Sequence, residues 1–287
     1  MAEKVFLNDK LVERDRACVS VSDSGLLYGA GLFETMRVQN GVVFALKDHL
    51  DRLFFSASKL AISITCDKKY IADAIYKTLK ANKLKDARLR LTVTGGSISV
   101  PEEDRKSTVL ITATELTPYP AEYYNKGVLV VLSPFRQNPA DPTHGHKTTS
   151  CFSRMLALRQ AHLKRAAEAL WFTVDGRLAE GCISNVFLVK DDTLLTAPIE
   201  TPVLAGVARK TVCQLAVKNS IELEEKTLSI DDLLTADEIF LTNVIMKALP
   251  VVAVEKHTVG EGKAGKLTKR ILKLFDEFVK IECGRQK

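Results

Sequence analysis

The apolar positions of this chain change period several times, and each change marks a new element. Near the N-terminus VFLNDKLV and FETMRVQNGVVFAL alternate as strands do. Both predict hairpins, the second turning at Asn40-Gly41. The period then becomes helical: Leu46, Leu50, Leu53, Phe54, Ala57 and Leu60 trace one stripe. A second helix is predicted over YIADAIYKTLKANKL, and strands over ARLRLTVTGG and STVLITATEL with an irregular loop between them. TPYPAEYYNKG, Thr117 to Gly127, carries prolines, tyrosines and a glycine without apolar period, and reads as a link between domains.

Beyond the link, GVLVVLSPF predicts a strand and CFSRMLALRQAHLKRAAEA one long helix. LWFTVDGRLAEG and NVFLVKDDTLLTAP predict hairpins turning at Asp175-Gly176 and near Asp191-Asp192, followed by a helix over VARKTVCQLAVKN and a strand over DEIFLTN. Leu267, Ile271, Leu272, Phe275, Phe278 and Val279 return to helical spacing at the end. The pattern predicts two mixed α/β domains, residues 1–116 and 128–287, joined by 117–127.

Composition narrows the class. A length of 287 residues, 46% hydrophobic and 26% charged, is that of a globular chain able to bury two cores. No apolar run nears the roughly 18 residues that span a bilayer, and MAEKVFLNDK lacks the apolar centre of a signal peptide. No membrane partner is expected. Cys18, Cys66, Cys151, Cys182, Cys213 and Cys283 are scattered without a CxxC pair, which suits a reducing cytoplasm. The net charge of +6 is mild. The lysines of the last segment fall on the wet face of its helix, so nucleic acid is not an expected partner.

The chemistry concentrates in HGHKTTSCFSR, His144 to Arg154. His144-x-His146 is a spacing zinc can use, but a catalytic site takes about three protein ligands. His49, His162 and His257 show no supporting spacing, so no metal is expected. Lys147 is the better candidate, because a desolvated lysine amine becomes a nucleophile that condenses with aldehydes such as pyridoxal phosphate (PLP). A lone lysine is ordinarily solvated, so the question is what else PLP requires. It needs an acid at its pyridine nitrogen, a cradle for its phosphate and apolar contact on its ring. Glu180, in the apolar context LAEGCISNVFLV, could be that acid, or an edge-strand carboxylate facing water. In PVLAGVARKTV, Gly206 precedes a helix whose first amides, at Val207 and Ala208, could cradle a phosphate, as any helix start can. Arg52, in HLDRL, stands off the apolar stripe of its helix.

Together, YGAGLFETMRV, HLDRL, HKTTS, LAEGCISNVFLV, TAPIETPVLAGVAR and DEIFLTNVIMKALPV resemble the class IV aminotransferases, the fold-type-IV PLP enzymes, over nearly the whole chain. That family includes branched-chain aminotransferase, D-amino-acid aminotransferase and aminodeoxychorismate lyase. The resemblance implies the fold-type-IV architecture of two mixed α/β (α+β) domains, pyridoxal 5'-phosphate as cofactor and a homodimer. It implies that Lys147 is the Schiff-base lysine and proton shuttle, Glu180 the pyridine-nitrogen partner and Arg52 the phosphate-binding arginine. Leu204 matches the ring-packing position, and Gly206, Val207 and Ala208 the phosphate-binding helix start. Ala208 replaces a threonine often found there, with loss of one hydroxyl. Asn243 and Val244 match further cofactor contacts, and Tyr28 a substrate-pocket tyrosine. His144 and His146 become bystanders or pocket wall.

The reaction subgroup draws mixed signals. Thr35, placed among the catalytic residues, sits where the lyases have threonine, branched-chain enzymes glycine and D-amino-acid enzymes valine. Asn243, in LTNVIMKALPV, also resembles the lyases. Against this, TGGSISVPEEDRK lacks the lyase's loop arginine after its turn, and Cys151 replaces a tyrosine. Arg90 could supply a substrate-carboxylate contact, or be an ordinary strand arginine. The expectation is an aminotransferase acting on small branched-chain or D-amino acids with a 2-oxo acid acceptor. The alternative is aminodeoxychorismate lyase, releasing p-aminobenzoate and pyruvate. A non-catalytic binding protein is a remoter reading, disfavoured because both Lys147 and Glu180 are present.

Overall fold

The computed structural model describes residues 3–284, which form two compact units. The first runs to Thr117 and also takes in His146–Ser150 and the chain from Val279. The second holds Pro118–Gly145 and Cys151–Phe278.

In the first unit the elements are β1 (Lys4–Leu7), β2 (Lys10–Glu13), α1 (Ser24–Tyr28), β3 (Gly31–Gln39), β4 (Val42–Val43), α2 (Leu46–Lys59), α3 (Lys68–Ala81), β5 (Ala87–Thr94) and β6 (Thr108–Glu115). The strands form one antiparallel sheet in the order β2-β1-β6-β5-β3-β4. Strict alternation makes the sheet two-faced: Ala87, Leu89, Leu91 and Val93 of β5 are buried while Arg88 and Arg90 are exposed. The apolar stripes of α2 and α3 cover the buried face, with Leu50, Leu53, Ile71 and Ile75 packed on Leu89, Leu91 and Ile111. Asp67 caps α3 by accepting from the Tyr70 amide at 2.7 Å. The β3–β4 turn has φ of 53° at Asn40 and 77° at Gly41, the pair of left-handed residues that a tight two-residue hairpin needs.

Residues 147–149 complete this sheet. The Phe33 amide donates to the Lys147 carbonyl (2.9 Å), the Thr149 amide donates to the Gly31 carbonyl (2.8 Å), and Leu32 bridges to Thr148. They pair with β3 at its N-terminal end, whereas the two-residue β4 pairs at its other end. Lys147 therefore belongs to the first unit, whereas the order of elements along the chain put it in a domain of residues 128–287.

The second unit comprises α4 (Ala121–Lys126), β7 (Val128–Gln137), α5 (Phe152–Leu163), β8 (Glu168–Thr173), β9 (Leu178–Gly181), β10 (Asn185–Lys190), β11 (Thr193–Thr196), α6 (Val207–Lys218), β12 (Leu223–Glu225), α7 (Ile230–Leu234), β13 (Glu238–Asn243), β14 (Lys247–Val254), β15 (His257–Thr258) and α8 (Lys266–Gly284), whose residues from Val279 count with the first unit. Its sheet runs β12-β11-β10-β13-β14-β7-β8-β9, with β15 on β14. Pairing is parallel at β11/β12, β14/β7 and β7/β8. Every residue of β8 and β9 is buried, as expected of strands covered on both faces.

One stretch takes a helix that its pattern does not show, and another stops short of its predicted helix. The link contains a helix, α4, whose Tyr124 hydroxyl donates to the Met246 carbonyl (2.9 Å). The long helix predicted over CFSRMLALRQAHLKRAAEA stops at Leu163, and Arg165 takes a left-handed φ of 61°. RAAEA has good helix formers, but Glu168 opens a buried strand and accepts from the Ile183 amide (2.5 Å) and the Ser184 hydroxyl (2.9 Å). Tertiary hydrogen bonding overrides local propensity there.

Candidate active site

In the first unit the site is built around Lys147 and the two faces of β3. Glu34 lies on the helix-covered face, where its carboxylate accepts from Arg52 Nε (2.8 Å) and Arg52 Nη2 (2.5 Å) and contacts His49 Nδ1 (2.7 Å). Glu34 and His49 are each about 1% exposed. Burial would raise the Glu34 carboxyl, but the Arg52 charge and the His49 hydrogen bond overrule it and hold it at about 2. Burial pushes the His49 imidazole down against the hydrogen bond and charge of Glu34. Its Nε2 is buried with no hydrogen-bond partner among the described residues. Arg52, expected to bind phosphate, is thus oriented by a buried acid rather than left on a solvated face.

Phe33 and Thr35 occupy the other face of β3. The Lys147 amine lies 4.6 Å from the Phe33 ring centroid, and the Arg90 guanidinium carbon lies 3.8 Å from the same centroid. Arg90 stands opposite Thr35 in the β3–β5 register. One aromatic ring therefore gathers two cations beside a hydroxyl. Tyr28, at the end of α1, is 69% exposed. His146 Nδ1 is 2.9 Å from the Ser56 hydroxyl, and His144 Nδ1, in the second unit, is 2.7 Å from the Asn138 carbonyl.

The depressed Glu34 carboxyl has a stability consequence. Above its ordinary value near 4.5 both folded and unfolded chains carry the charge, and the ion pair contributes fully. As pH falls from about 4.5 towards about 2 the unfolded chain takes up the proton first, and that contribution is lost. It is on the order of 3 kcal/mol. Glu34→Gln is expected to lower unfolding stability by about that much at pH 7, with a clearly smaller deficit at pH 3. Denaturant titrations at the two pH values check this, and equal deficits would remove the ion pair as the cause.

In the second unit the site is built around Glu180. Although β9 ends the sheet, the carboxylate is buried, which excludes the water-facing reading. Oε1 accepts from Arg154 Nη2 at 2.7 Å, and Oε2 accepts from the Leu204 amide at 3.0 Å and Asn185 Nδ2 at 3.4 Å. The Leu204 carbonyl accepts from Asn185 Nδ2 (2.9 Å) and the Gly206 amide (2.7 Å), which fixes the approach to α6. No side chain caps α6 at Gly206, and the first-turn residues Val207 and Ala208 are buried. A Cβ at 206 would run into Asn185 Oδ1, so glycine is required there for space. The helix start keeps the dipole and the amide donors that suit an anion.

Asn243 has a structural use. Its Oδ1 accepts from the Ile245 and Met246 amides (both 2.9 Å) and its Nδ2 donates to the Ile183 carbonyl (3.2 Å), so it shapes the β13–β14 turn. Val244 beside it is buried. Four further residues escaped sequence reasoning: Glu34, His49, Arg154 and Asn185. Glu34 and His49 left a signal, since each puts a polar side chain in the buried phase of an otherwise apolar strand or helix.

Residues 31–254 match the protein family described as amino-transferase class IV. The chain is 35% identical, over 279 residues and 96% of both proteins, to a putative branched-chain-amino-acid aminotransferase of Methanocaldococcus jannaschii. It is 31% identical to aminodeoxychorismate lyase of Bacillus subtilis, over 96% of this chain and 94% of that one. Among solved structures it is similar to the branched-chain amino acid aminotransferase of Escherichia coli, with a TM-score of 0.92, 28% identity, and 98% and 96% of the two chains covered.

Proposed function

The chain belongs to the class IV aminotransferases, and from that membership we propose that it transfers the amino group of small apolar amino acids, branched-chain ones foremost, to a 2-oxo acid. The cofactor is PLP, which supplies an aldehyde that condenses with amines and a pyridine ring that accepts the electron pair left when a Cα proton departs. The observation that carries the reading is the buried Glu180 carboxylate, held at both oxygens by its own unit. An acid so fixed suits a protonated ring nitrogen. The residues fit the cofactor in kind: a lysine amine, an arginine oriented by a buried acid, and an uncapped helix start.

Lys147 would hold the cofactor through its aldehyde, and its amine would move the substrate Cα proton. Arg52 in the first unit would bind the phosphate, as would the amides of Val207 and Ala208 in the second, and Leu204 would pack on the ring. Glu34 keeps Arg52 in place. Arg90 and Tyr28 take the substrate carboxylate and side chain, with Thr35 beside them. A transaminase is favoured over a lyase because TGGSISVPEEDRK lacks the lyase-type loop arginine, and because Asn243 spends its amide on a turn.

The protein works as a cytoplasmic homodimer in this proposal. All six cysteines are unbridged, and among the described residues no helix is long and apolar enough to cross a membrane. Val19, Val21, Leu26, Leu27 and Tyr28 are exposed apolar side chains of the first unit, the kind that a subunit interface covers. Sedimentation of the purified protein reads the dimer directly.

An aminotransferase must store the amino group on its cofactor between half-reactions. L-leucine, L-valine or L-isoleucine without acceptor is expected to bleach the yellow protein and build pyridoxamine phosphate, and a 2-oxo acid to restore the colour. D-alanine, tried alongside, tests the stereochemistry. If no amino acid bleaches the protein while aminodeoxychorismate yields pyruvate, the lyase reading replaces this one.

A further inference from the structure

We propose that Arg154 is a positioning residue of the reaction: it holds Glu180 in its charged form and fixed orientation, and through Glu180 keeps the proton on the cofactor's ring nitrogen. The inference rests on the reading of Lys147 and Glu180 given above.

Arg154 stands in the first turn of α5, and its guanidinium is held from several sides within the second unit. Nη1 donates to the Gly181 carbonyl (3.0 Å), and Nη2 donates to Glu180 Oε1 (2.7 Å) and Gln137 Oε1 (3.4 Å). The guanidinium carbon lies 5.3 Å from the Trp171 ring centroid. Gln137 is itself fully buried and anchored to the Pro202 carbonyl (2.5 Å). A surface arginine pairing with whatever acid is near needs none of this scaffolding. Here β7, β8 and β9 together aim one cation at one oxygen of Glu180, while the Leu204 amide takes the other.

A second buried acid makes the choice consequential. Glu168, on β8, is 1% exposed and makes its hydrogen bonds to Ile183 and Ser184, not to Arg154. Burial pushes its carboxyl up to about 7, against the pull of those hydrogen bonds and the Arg154 charge and with the push of the Glu180 charge. Two neighbouring buried carboxyls resist ionising together, and a nearby cation favours the charged form of the one it touches. Arg154 bonds Glu180 and makes no hydrogen bond to Glu168, so its charge acts first on Glu180. A charged carboxylate accepts a hydrogen bond from a protonated pyridine nitrogen. A neutral carboxyl in its place would donate its own proton and leave the ring nitrogen unprotonated, a poorer electron sink.

The test uses the holoenzyme loaded with PLP carrying nitrogen-15 in its ring, because the ring-nitrogen resonance reports protonation without turnover. Wild-type protein is expected at the position of a protonated nitrogen. Arg154→Met should move the resonance towards the unprotonated position and lower kcat roughly tenfold or more with a much smaller change in KM. Arg154→Lys, which restores a charge without the guanidinium fork, should recover most of both. Should Arg154→Met fail to fold, Arg154→Gln, which keeps a hydrogen-bond donor without the charge, must show the same shift. A wild-type resonance in the methionine variant, or a lysine variant shifted as far as the methionine one, overturns the proposal. Borohydride reduction of the same wild-type sample separates the two readings: failure to fix the cofactor on Lys147 overturns the assignment beneath this inference, whereas labelled Lys147 with an unmoved resonance overturns the inference alone.

Discussion

Lys147→Ala is expected to lower turnover by roughly 10⁴-fold or more, because in the proposed reading one side chain both binds the cofactor aldehyde and moves the Cα proton. Folding should survive the change. The segment is tied to β3 through the Lys147 carbonyl and the Thr149 amide, and neither bond uses the lysine side chain. Borohydride should fix the cofactor to the peptide containing Lys147 in the wild-type protein and to no peptide in the variant. Turnover within tenfold of wild type, or reduction onto another lysine, would show that this amine is not the one that meets the cofactor.

Glu180→Gln should cost the next largest factor, roughly 100-fold or more in kcat. The amide keeps the shape of the side chain but has a single oxygen, so it can accept from Arg154 or from the Leu204 amide, not from both. It removes the charge proposed to keep the ring nitrogen protonated. Cofactor affinity should change little, because the proposed phosphate contacts through Arg52, Val207 and Ala208 are untouched. Equilibrium dialysis of PLP beside steady-state kinetics separates these quantities. Near-normal kcat with intact cofactor binding would mean that Glu180 is buried for structural reasons only.

Much of this architecture is written in local pattern. The hairpin turns at Asn40-Gly41 and Asp175-Gly176, the stripes of α2 and α3 and the alternation of β5 are properties of short windows, and short windows fold as they read. What was not legible depends on partners distant in sequence. Arg165 and Glu168 leave the helix because Ile183 and Ser184 supply hydrogen bonds 15 and 16 residues on. Lys147 joins the first unit because Gly31 and Phe33, more than 110 residues earlier, offer it a strand edge. The site divides the same way. Lys147, Arg52 and Glu180 stood out through motifs, whereas Glu34, His49 and Arg154 acquire meaning only from the side chain each one meets. A hydrophobic pattern says which face is buried. It says nothing about which buried acid meets which buried base.

The pairing of residues 147–149 with β3 bears on how the protein is made. The first unit is nearly all synthesised by Thr117, yet it includes His146–Ser150 and the chain from Val279, where Val279 and Cys283 are buried. The 161 residues between Thr117 and Val279 take roughly 8 to 30 s to translate. Throughout the first part of that interval the Phe33 amide and the Gly31 carbonyl present an open strand edge, the kind of surface that pairs with other chains. Vectorial synthesis therefore cannot finish the N-terminal unit first. The nascent chain must hold a partly built sheet in waiting until residues 146–150 and the chain from Val279 have left the ribosome.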